Sequence, residues 1–106
     1  MPHFLLRLDP VRPDMHATGP TQQEAEAIGA HLGYLQRLME QGALLLAGRS
    51  QILDHEAFAL VLLQADSESR ALALMRADPA VTQGVLSGEL HPFRITQWRA
   101  EPPTLG

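Results

Sequence analysis

The chain of 106 residues has neither cysteine nor lysine. Without cysteine there is no disulfide, no thiolate nucleophile and no sulfur-based metal site. All eight basic residues are arginines, and against twelve acids they leave a net charge of −4. That balance argues against general nucleic-acid binding, which needs a basic surface. No apolar run approaches the roughly 20 residues of a membrane span. The opening Met-Pro-His-Phe-Leu-Leu-Arg lacks the charged-then-apolar build of a signal peptide. No two of the five histidines (His3, His16, His31, His55, His91) stand at a ligand spacing such as i,i+4, so no metal is expected. Gly42, Gly48, Gly84 and Gly88 form no phosphate-binding loop, since none opens a helix after a strand. The expectation is a cytoplasmic protein without a cofactor, in a single domain over residues 1–98 with a short tail over 99–106. A domain of this size buries about 65% of its unfolded surface and folds without staples.

The stretch over residues 28–49 organises the rest. Ile28, Leu32, Leu35 and Met39 recur at helical spacing, with His31 and Leu38 beside that stripe. Thr21 and Glu24 match a capping box, and Gly42 stops the helix. Strands are expected over residues 3–8, 43–47, 58–63 and 90–98, the last interrupted by Pro92 and hence at an edge or a bulge. Gly48 is expected to end the second strand. Residues 9–20 hold three prolines and a glycine and read as loop. A second helix starts at Asp66 or Ser67, carries Ala71, Leu74 and Met75 inward, and stops before Pro79. Residues 80–88 read as irregular.

The order is β-α-β-β-α-β, a ferredoxin-like α+β fold with two helices on one face of an antiparallel sheet. In the third strand Phe58, Leu60 and Leu62 share one face, and Ala59, Val61 and Leu63 the other. In the second strand Leu44 and Leu46 oppose Leu45 and Ala47. A sheet apolar on both faces needs cover on both, and the helices supply only one. A second copy of the sheet is the expected second cover, making a homodimer.

Asp78 continues the inner stripe of the second helix, in a last turn where the macrodipole disfavours an acid. Antiparallel helices bring that end near His31 in the first half of the first helix. The carboxylate would fix one imidazole tautomer and leave the other nitrogen for acid–base work. The bland alternative is a structural, hydrogen-bonded histidine beside a helix stop. Arg49, with Ser50 and Arg7 as further candidates, could hold an anionic or phenolic substrate, because a guanidinium fork suits oxyanions.

The strings His31-Leu-Gly-Tyr-Leu, Gly42-Ala-Leu-Leu-Leu-Ala-Gly48, Asp78-Pro79-Ala-Val-Thr-Gln-Gly84 and His91-Pro92-Phe93 occur in this order. Together, from about residue 3 to 98, they resemble the YciI-like (YCII-related) family. The resemblance implies a dimeric α+β barrel and an active site built on a histidine and an aspartate, which fall here on His31 and Asp78. It also implies dehydrochlorinase-like activity as one activity of such proteins. Two departures stand out. Gly48 is followed by Arg49 where the family commonly has proline, and the proline-rich residues 9–20 are individual to this chain. Two functions are therefore expected as alternatives: a small cofactor-free lyase or isomerase, or a non-catalytic dimer that binds a small molecule in a cleft.

Overall fold

Strand β1 (His3–Pro10) lies inside the sheet, between β3 (Ala59–Gln64) on one side and β4 (Leu86–Phe93) on the other. Strand β2 (Leu44–Arg49) forms the far edge, giving the order β2-β3-β1-β4 with every pairing antiparallel. The computed structural model describes residues 1–99, so most of the tail expected over 99–106 lies outside the described residues. Helices α2 (Gln22–Glu40) and α3 (Glu68–Arg76) complete the ferredoxin-like β-α-β-β-α-β order. Two four-residue helices are added to it, α1 (Met15–Thr18) and α4 (Pro79–Thr82).

Both ends of α2 are fixed by local chemistry. The Glu24 amide donates to Thr21 Oγ1 at 3.1 Å and the Thr21 amide to Glu24 Oε1 at 2.8 Å, a reciprocal capping box. At the other end Gly42 turns to φ 81°, which lets the Ala43 amide reach back to the Leu38 carbonyl at 2.9 Å. The buried face, however, is not the expected stripe. Ala27, His31 and Leu38 are buried, while Leu32 and Met39 are 60% and 50% exposed. The packed face sits about one position earlier than large apolar residues alone suggest, because its members are a small alanine and a histidine. His31 stands in the middle of the inner face, not beside it.

Other elements shift as well. β2 runs through Gly48 to Arg49, since Gly48 pairs with Leu60 and Arg49 with Ala59. A register shift between Leu44 and Leu46 inserts Leu45, so Leu44 and Leu46 do not share a face. β1 continues to Pro10, and Met15 of α1 is fully buried inside the stretch expected to be loop. Residues 79–82 are helical because Asp78 caps the start and Gly84, at φ 73°, closes the end with the Val85 amide on the Ala80 carbonyl. β4 begins at Leu86 and ends at Phe93, short of Trp98, and Pro92 stands in an edge strand.

The core lies between the sheet and the helices. Leu6, Leu8, Val61 and Leu63 face inward against Leu38, Leu74 and Met75. Gly88 lies close against this layer, since a Cβ would stand 2.6 Å from Met75 Sδ and the Met75 side chain would have to shift. The opposite face of the sheet carries Leu5, Leu60, Leu62 and Leu46, in adjacent register positions on three strands.

Candidate functional site

Asp78 ends one element and starts another. α3 closes at Ala77, and the Asp78 side chain accepts the Ala80 amide on Oδ1 at 2.9 Å as the N-cap of α4. The acid therefore sits at the favourable end of a helix, not in the unfavourable last turn of one. Its second oxygen, Oδ2, stands 2.5 Å from His31 Nδ1. Both residues are buried, at 5% exposure for His31 and 3% for Asp78. A carboxylate in its ionised form only accepts, so opposite it Nδ1 is the donating ring nitrogen. Nearby, the Tyr34 hydroxyl donates to the Leu74 carbonyl at 2.7 Å and ties α2 to α3. Burial raises the Tyr34 pKa, helped by the Asp78 charge, which keeps that hydroxyl a donor.

His31 lines a cavity of about 280 Å³ between α2, α1 and the β2–β3 end of the sheet. Its walls are mostly apolar, with Leu8, Ile28, Leu35 and Val61 among them. Arg49 lines this cavity and also a second one on the open sheet face. Ser50 borders only the second; its hydroxyl accepts the Phe58 amide at 3.1 Å and donates to the Ile52 carbonyl at 3.3 Å. Arg7 lies away from His31, on the open face of the sheet. It is engaged there by Asp9 at 3.2 Å and stacked 4.5 Å above the Phe58 ring. The structure thus brings His31 and Arg49 to one cavity, sets Asp78 behind the His31 ring, and leaves Ser50 and Arg7 outside the cavity. Among the described residues, no three histidines or acids group closely enough to hold a metal.

His16 is the cavity residue that the sequence did not single out. It is delivered by α1, which Arg12 pins in place. The Arg12 guanidinium donates to both Glu24 oxygens at 3.0 and 2.7 Å, to Thr18 Oγ1 at 2.8 Å and to the Gly19 carbonyl at 3.0 Å. The Arg12 contact, joined by the Thr21 amide, holds the Glu24 carboxyl down to about 2. Only a pattern linking an arginine before α1 to the capping acid of α2 could have announced this wall.

In fold, the chain matches a 5-chloro-2-hydroxyhydroquinone dehydrochlorinase from Burkholderia phenoliruptrix in complex with 2,5-dihydroxybenzoquinone. The TM-score is 0.65 at 18% identity, over 87% of this chain and 93% of that one. At that identity the likeness is one of architecture. No curated protein matches the chain. The YCII-related domain model matches residues 4–94, from the start of β1 to the end of β4, and the chain belongs to that family.

Proposed function

We propose that the protein is a small cytoplasmic enzyme of the lyase or isomerase kind, working as a homodimer without a cofactor on an aromatic or anionic small molecule. The observation that carries this reading is the buried His31–Asp78 contact at the wall of a cavity. Asp78 holds the ring with Nδ1–H inward, and Nε2 takes a proton from the substrate or returns one. Arg49 at the same cavity would hold an oxyanion. The activity of the dehydrochlorinase of like fold fits such chemistry, since loss of HCl moves one proton to a base while the C–Cl bond breaks and chloride leaves with the electron pair. The test is His31→Gln, assayed against chlorinated or hydroxylated aromatics and lactones. Turnover should fall by about 100-fold or more, the usual span for a lost general acid or base, while circular dichroism stays native. Undiminished turnover in the variant would sink the acid–base role.

One observation favours a second reading, a non-catalytic binding protein. Both Asp78 oxygens are already taken by protein donors, as in a pair kept for structure. On that reading neither wild type nor variant turns over any of these compounds, and removal of His31 registers only as a lower melting temperature.

A further inference from the structure

Among the described residues lining the cavity there is no carboxylate: its ionisable groups are His16, His31 and Arg49. On the count that gives the chain its net charge of −4, the charge among these lining residues is the positive one of Arg49. His16 and His31 come from different elements, α1 and α2. α1 is no loose flap, because Met15 is buried and Arg12 ties the segment to the start of α2. The His16 ring is therefore presented from a fixed backbone. Size narrows the occupant further. An apolar cavity of about 150 Å³ takes benzene, so about 280 Å³ suits one substituted ring.

We propose that His16 is a ligand-contacting residue and that the cavity takes a single-ring organic anion, a phenolate or carboxylate, between the His16 and His31 imidazoles with Arg49 at the rim. This rests on the cavity being the substrate site. His16 donates to the anion from the α1 side, so the ring is gripped from two elements and cannot turn freely in front of His31. Residues 9–20 thereby become a specificity wall of the cavity.

The test uses full-length protein labelled at its histidine rings, titrated with 4-hydroxybenzoate and with the neutral 4-hydroxybenzyl alcohol. The His16 and His31 ring signals should move together along one binding curve, and the acid should bind more tightly than the alcohol. His16→Gln should weaken 4-hydroxybenzoate about tenfold, as for a lost hydrogen bond to a charged group, and change the alcohol less than about twofold. Shifts confined to His31, with wild-type affinity in His16→Gln, overturn the role of His16 and leave the His31 reading standing. Shifts confined to His16, or none at either ring, overturn both. Equal affinity for acid and alcohol overturns the anionic class. If His16→Gln does not fold, the wild-type ring shifts still decide.

Discussion

Deleting the His31 ring and deleting the Asp78 carboxylate are unequal perturbations, because Asp78 serves two groups. His31→Ala leaves a buried Asp78 oxygen without its donor, at a cost of about 1–3 kcal/mol. Asp78→Ala loses the same contact and also uncaps α4, which adds about 0.5–2 kcal/mol. Asp78→Ala should therefore melt below His31→Ala, at about 4–8 °C per kcal/mol in a domain of this size. Thermal melts of the two variants check this; equal melting points would remove the capping contribution. His31 was legible in sequence as a polar group on the inner side of an apolar helix, and Asp78 as an acid three residues beyond Met75 and four beyond Leu74. What the sequence concealed was the posture of Asp78. Asp-Pro followed by Gly84 is the signature of a capped one-turn helix, but four residues are too few for periodicity to show. His16 was concealed by its company, since prolines on both sides of it read as loop.

At the scale of elements, the attachment of α1 to α2 should be unusually resistant to acid. The Glu24 pKa is depressed, so its contribution is full above the ordinary value near 4.5 and is lost only as pH falls through about 2. The Glu24 carboxyl carbon, followed by NMR, should titrate near pH 2, and the Thr18 amide signal should change with it. A Glu24 midpoint near 4.5 would mean that Arg12 is not bound to it in solution. The capping box that starts α2 was readable from Thr21 and Glu24 three residues apart. Its second duty, as the anchor for Arg12, was not readable, because that contact spans twelve residues of chain with no regular spacing. The face of α2 was misread for a related reason: counting large apolar residues passes over Ala27, which packs, and favours Leu32 and Met39, which are exposed. In β2 the inserted Leu45 breaks the alternation, and nothing in a run of three leucines marks where a bulge falls.

For the whole molecule, the open sheet face is the feature with the widest reach. Leu5, Leu46, Leu60 and Leu62 form an apolar band there, flanked by Phe58 and Phe93. A band of this kind suits burial against a second copy, as the two-sided apolar pattern of the third strand already suggested. Sedimentation at micromolar concentration should give about twice the 11.6 kDa chain mass. Leu60→Arg should return the monomer with its fold intact, since Leu60 is exposed in the single chain and an arginine there would have to be buried as a charge against the second copy. A wild-type monomer at these concentrations would exclude the barrel assembly for this chain.

The double engagement of Asp78 also limits how this position can drift. Serine, threonine or asparagine would keep a cap on α4 but bring no negative charge to His31. Glutamate would keep the charge, but one methylene further from the backbone, where it no longer reaches the Ala80 amide from the capping posture. Changes at most buried positions can be absorbed by repacking of similar volumes. Here two constraints of different kind, one on charge and one on reach, intersect in a single side chain. Residue 78 should be among the positions of this fold least tolerant of replacement, whichever ligand the cavity holds.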